Sequence, residues 1–140
     1  MNVTLQTNPK DLGSIPKKMS KELQDKYKSA FFRVAQVGIN IILDRTSRGV
    51  SYKGGAFRPY SEKYAAFRTE KGASVTPNLN MSGKMLAAIT SRASSKQAEI
   101  FFSKASESAK ASKNDKSRPF FGFNREEEGR LARAFERFIR

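Results

Sequence analysis

The sequence contains no cysteine and no histidine. Without cysteine there is neither a disulfide framework nor a thiolate metal site. Without histidine the commonest general base, the commonest metal ligand and the usual Ser/His and Cys/His nucleophile pairs are missing. Carboxylates are scarce as well, 13 against 27 lysines and arginines. No two of them stand out as the converging pair that a carboxylate-dependent hydrolase needs. The glycine-rich "YKGGAF" lacks the Lys-Ser/Thr ending of a Walker motif. No catalytic residue, metal site or cofactor site is therefore expected. The longest apolar run, "VGINIIL" (37–43), falls far short of the ~20 residues required to cross a bilayer. The opening "MNVTLQTNPKDLGS" has no apolar stretch of the signal-peptide kind. The expectation is a soluble protein made in a cytoplasm, without membrane contact.

What is present is one domain's worth of chain, 140 residues with 38% hydrophobic content, enough for a single modest core. The net charge is +14, a balance that favours polyanions or acidic protein surfaces. Thirteen cations and six anions fall in residues 1–70, and fourteen and seven in residues 71–140, so each half carries +7. Charge spread so evenly describes a general surface rather than a basic tail beside a neutral body.

Hydrophobic spacing predicts an α+β fold. Val3 and Leu5 alternate as in a short strand. Ser14 is placed to cap a helix and Pro16 to sit in its first turn. From there Met19, Leu23, Tyr27, Ala30, Phe31, Val34, Val37, Ile41 and Ile42 recur at helical spacing, with Lys17, Lys18, Lys21, Asp25 and Lys28 opposite. This is a long amphipathic helix of roughly seven turns, ending between Arg45 and Gly49 and packed on a small antiparallel sheet. Ser61 and Ser82 are placed to cap two short helices, the second over 83–89. "QAEIFFSK" (97–104) reads as a strand, with "TSRAS" before it as a hairpin partner. "ASESAKASKNDKS" reads either as an exposed helix or as a mobile loop. Segments 45–59 and 104–117 are expected to be loops that are mobile or ordered in the assembly. Asn124 and Glu127 form a capping box opening a carboxy-terminal helix whose buried face is Leu131, Phe135 and Phe138. Glu126 is placed to pair with Arg130 on its surface.

The most unusual stretch is "GGAFRPYSEKYAAFR" (54–68), with Phe57, Tyr60, Tyr64 and Phe67 set among Arg58, Lys63 and Arg68. Aromatic rings interleaved with cations are how single-strand binders stack bases and follow phosphates. The competing reading is packing: Tyr60, Tyr64 and Phe67 at i, i+4 and i+7 share one face of a short helix lying on the long one. Phe57 and Arg58 are then the exposed contacts. Phe120, Phe121 and Phe123 face the same choice between core, interface and base stacking.

Three stretches taken in order resemble one family. "GGAFRPYSEKYAAFR" is similar to its G-x-x-F-x-P-Y-S-x-x-Y segment, "NLNMSGKMLAAI" (78–89) to an Asn-Leu pair leading to S-G-x-M-L, and "RPFFGFNREEE" (118–128) to an R-P-F-F-G stretch before a capped helix. The family is the phage virion-morphogenesis proteins, which complete the tail or form the neck joining it to the head. The resemblance spans residues 15–139. It implies a non-enzymatic α+β protein assembling as a homo-oligomeric ring in the virion neck, against a tail terminator or tail tube protein and a head connector protein. It puts subunit or partner contacts at Phe57, Arg58, Pro59, Tyr60, Tyr64, Arg118, Phe120 and Phe121. Non-specific contact with packaged DNA is compatible with the charge. An acidic protein neighbour suits it better, because cations lining a conduit would retain phosphates. The alternative function is a basic nucleic-acid-binding protein.

Overall fold

The computed structural model describes residues 1–6 and 19–140. The elements are β1 (Asn2–Gln6), α1 (Lys21–Ser47), α2 (Glu62–Glu70), α3 (Lys84–Ala87), β2 (Ile89–Ala93), β3 (Gln97–Phe102), α4 (Ala105–Ser117) and α5 (Arg125–Ile139). The three strands form one antiparallel sheet in the order β1-β3-β2. This is the α+β arrangement expected, with the long helix laid across the sheet.

Alternation decides which face the sheet buries. Val3, Leu5, Ala98 and Ile100 share one face through the pairs Val3–Ile100 and Leu5–Ala98, and Ile89 joins it opposite Phe102. That face meets α1, whose Ala30, Phe31, Val34, Ala35 and Ile42 are all nearly inaccessible. The other face carries Thr4, Glu99 and Arg92 in one row, with an Arg92–Glu99 ion pair and the Arg92 guanidinium over Phe101. The β2–β3 turn is held by the Ser94 hydroxyl, which accepts from the backbone N–H groups of Lys96 and Gln97 at 3.2 Å each.

Helix α1 is capped by Ser20, whose hydroxyl accepts from Leu23 N–H at 3.1 Å. The expected cap at Ser14, with Pro16, Lys17 and Lys18, lies outside the described residues. Gly38 lets α1 approach its neighbours: a Cβ there would lie 2.9 Å from the Phe123 ring and 3.1 Å from Ile100. Helix α5 lies against α1, with Leu131, Ala134 and Phe135 in the core and the Phe135 ring 4.7 Å from that of Phe31. Its capping box is complete, Glu127 N–H donating to Asn124 Oδ1 at 2.8 Å and Asn124 N–H to Glu127 Oε1 at 3.0 Å.

That carboxylate does a second job. Arg45, at the end of α1, places Nη1 2.7 Å from both Glu127 oxygens and Nη2 2.7 and 2.8 Å from the carbonyls of Phe120 and Gly122. Both side chains are buried. The expected Glu126–Arg130 pair is not among the ion pairs of the described residues; burial draws in Glu127 instead.

Of the two segments expected as loops, 104–117 takes its helical reading and 45–59 is loop only after Ser47. Residues 105–117 form helix α4, anchored by Ala111 in the core and by its alanine, lysine and glutamate content. Residues 45–47 belong to α1, and the chain after them is tied back by a Val50–Ala56 bridge and a Tyr52 N–H to Pro119 carbonyl bond of 3.3 Å. The helix expected over 83–89 is the single turn Lys84–Ala87, Ile89 opening β2 instead. Ser82 Oγ still accepts from Lys84 N–H at 3.3 Å.

Candidate docking site around Tyr60

The stretch 54–68 begins with a reversal. Gly54 and Gly55 have φ of +108° and +74°, a region costly to side chains with a Cβ. The turn they make lets Ser51 N–H donate to the Gly55 carbonyl at 2.9 Å and Phe57 N–H to the Gly49 carbonyl at 2.7 Å. The return carries Phe57 into the core, 4% exposed. Phe57 is therefore not the exposed contact expected of it. Arg58 and Pro59 do face solvent.

Their carbonyls are held by Arg118. Its Nε donates to Arg58 O at 2.8 Å and its Nη2 to Pro59 O at 3.0 Å. The same guanidinium lies 4.6 Å from the centre of the Tyr60 ring. Ser61 then caps α2 by accepting from Tyr64 N–H at 3.2 Å, and the first helical turn brings Tyr64 edge-on to Tyr60 at 4.9 Å. One turn further, Phe67 stacks on Tyr64 at 6.0 Å.

Arg68 completes the row and is 1% exposed, the one buried residue of α2. Its guanidinium lies over Tyr60 at 4.9 Å and Tyr64 at 5.8 Å. Its donors go to Ser74 O at 2.6 Å, Asn80 O at 3.0 Å and Asn78 Oδ1 at 3.2 Å. One side chain thus fixes the path of residues 74–80. Within that path Leu79 takes a left-handed conformation, φ +58°, which disfavours a residue with a γ-branched side chain. Burial of its side chain and a bond from its N–H to the Tyr60 hydroxyl at 3.2 Å hold it there. The aromatic face of α2 accordingly packs on Arg68 and on itself, rather than on α1 as the spacing suggested.

Phe120 and Phe121 are core residues, 0% and 5% exposed. Their N–H groups both donate to Asp115 Oδ1 at 3.0 Å, and the Phe121 ring lies 4.9 Å from Phe102. Of the eight residues expected at contacts, three are thus buried apolar rings and Arg118 is a buried clamp. Arg58, Pro59 and Tyr64 are exposed, and Tyr60 is half-buried. Arg68, Asn78 and Leu79 were missed as parts of the site. Arg68 was within reach, since Tyr60, Tyr64 and Arg68 at i, i+4 and i+8 lie on one helical face.

Between α2, the 79–83 loop, α3 and α4 lies a cavity of about 460 Å³. Leu79, Met81 and Met85 give it apolar walls, and Tyr60 and Tyr64 one aromatic side. Arg58, Arg68, Lys110 and Arg118 line it against one carboxylate, Glu107. Glu107 is 5% exposed, accepts from Lys110 Nζ at 3.3 Å through Oε1, and leaves Oε2 without a partner. Tyr64 (38%), Phe67 (43%) and Met81 (43%) are exposed around it.

No family model, curated protein or solved structure matches the chain. The site is accordingly read from its own chemistry. Among the described residues no cluster of three or more acidic side chains could hold a metal ion, and no helix is long and apolar enough to cross a membrane. What the geometry offers is a braced surface with a cavity of mixed lining, cationic on one side and apolar at Leu79, Met81 and Met85, suited to holding another molecule.

Proposed function

We propose that this chain is a structural, non-enzymatic protein of the phage neck, a ring-forming subunit that completes the tail and joins it to the head connector. The observation that carries this reading is the meeting of the three family-like stretches. Residues 54–68, 78–89 and 118–128 are far apart in sequence, yet Arg68 binds the second stretch, Arg118 binds the first, and both lie over Tyr60. The residue types that define the resemblance thus serve one another in one brace. Such a brace holds a surface rigid, which lowers the ordering cost of binding. Ring closure uses heterologous contacts, one patch meeting a different patch on the next copy. The partners in this reading are further copies of the chain, a tail terminator or tail tube protein, and the head connector, within the virion neck.

Electron microscopy of particles assembled without the protein tests it. Full heads and finished tails, separate from one another, are expected; normally joined virions overturn the reading. Nucleic-acid binding is favoured by the +14 charge, but the central ring that suggested base stacking is occupied. Two guanidinium groups lie over Tyr60, while Tyr64 and Phe67 stack on each other and stay exposed. DNA binding that fades at physiological salt is expected, as for non-specific phosphate contact.

A further inference from the structure

We infer that the cavity beside Tyr64 seats an acidic peptide segment of a partner protein, one apolar side chain entering between Leu79, Met81 and Met85. The inference rests on the assembly reading for the partner being a protein, and goes beyond it in naming the surface and the partner's chemistry.

Charge gives the first reason. Among the described residues Arg68 and Arg118 are buried without a carboxylate: their partners are backbone carbonyls, the Asn78 amide oxygen and the Met81 sulfur. Their charge is left uncompensated among the described residues. Among the described residues Arg58 stands exposed at the same cavity with no acidic partner, and the Lys110–Glu107 contact is the one ion pair in its lining. Four cations against one carboxylate, with low-dielectric walls, focus a positive potential on the opening. Aspartate or glutamate on a partner is what that field attracts.

Shape and softness give the second. A volume of about 460 Å³ falls within the ~300–1,000 Å³ of ordinary binding pockets. Two of its three apolar walls are methionines, whose flexible thioethers adapt to a foreign side chain. Met81 and Tyr64 are exposed in its lining, with the exposed Phe67 stacked on Tyr64 beyond it, and an exposed apolar patch marks an interaction surface.

Glu107 gives the third, and separates peptide from nucleic acid. Its buried Oε2 lacks a donor. A peptide brings backbone N–H groups that can donate to it, whereas a phosphate diester brings only acceptors. A second copy is disfavoured at this face because each copy carries +14 and presents like charge to the cavity.

The test uses the full chain and a fluorescein-labelled Asp-Glu-Phe-Glu-Asp peptide, with Asp-Glu-Ala-Glu-Asp, Lys-Lys-Phe-Lys-Lys and a twenty-nucleotide oligo-dT as comparisons. Anisotropy is expected to show the phenylalanine peptide binding at least tenfold more tightly than the alanine or lysine peptide. Arg58→Glu is expected to weaken it at least tenfold with an unchanged melting temperature, because that side chain is exposed, and Met81→Ala about threefold, its melting temperature being read alongside because Met81 Sδ accepts from Arg68 Nη1 at 3.8 Å. Equal binding by all three peptides, or binding indifferent to both substitutions, overturns the inference. So does oligo-dT binding more tightly than the phenylalanine peptide and being lost in Arg58→Glu, which assigns the face to nucleic acid. A wild-type oligomer that Arg58→Glu dissolves, seen by sedimentation, assigns it to a second copy and overturns the inference too. Failure here, with heads and tails still separate when the protein is absent, removes this surface and leaves the neck reading standing. Peptide binding with normal virion joining in its absence does the reverse.

Discussion

Two places in this molecule bury arginine, and they do so differently. At the α1–α5 junction Arg45 meets Glu127, which also closes the capping box of α5, so charge is neutralised within the core. Around Tyr60 the buried arginines 68 and 118 meet carbonyls, an amide oxygen and aromatic rings, and no carboxylate. The first arrangement secures the fold. The second braces loops while leaving positive charge at a cavity that opens to solvent. An arginine clamp without an acid serves a surface that has an acid still to meet.

The comparison is broken most forcefully at the junction. Glu127→Ala leaves the Arg45 guanidinium buried without its partner, a defect that costs about 3–5 kcal/mol, and also removes half of the capping box. A large drop in the urea midpoint is expected; a change as small as that of a surface substitution would mean the pair does not organise the core. Tyr60→Ala comes next. It removes a ring under two guanidinium groups and the acceptor for Leu79 N–H, and because Tyr60 is half-buried the loss should fall below the about 3–5 kcal/mol of a core aromatic. If melting and tail joining were both unaffected, Tyr60 would not be the centre of the brace.

Arg68→Lys sharpens the contrast, because charge is kept while the planar fork is lost. A loss of about 1.5–3 kcal/mol is expected, the scale of hydrogen bonds to a charged group. Amide exchange should quicken over residues 74–80 while α5 keeps its protection; uniform protection would place Arg68 outside the loop's support. Arg58→Ala should change stability by no more than about 0.5 kcal/mol, as for an exposed side chain, and thermal melting would reveal any larger contribution.

How far the sequence could be read follows the same division. The apolar stripe of α1, the alternation of β3 and the Asn124–Glu127 box depend on neighbours within a few residues, and all three are found where spacing put them. Two of the three arginine clamps depend on partners far along the chain: Arg45 and Glu127 are 82 residues apart, and Arg118 and Arg58 are 60 apart. Local pattern carries no signal of that kind. Phe57 was misplaced for a related reason, since its burial follows from a bridge between Val50 and Ala56 that twists the chain inward. Residues 105–117 read as either helix or loop because their apolar content is only alanine. One of those alanines, Ala111, turns out to be a core residue.

The most direct test is to supply Arg58→Glu protein to particles assembled without the native chain. The variant should melt with the wild type yet leave full heads and finished tails separate, because the rim that draws an acidic partner has been reversed. Joined, infectious virions at the wild-type yield would show that the Tyr60 region serves the fold alone.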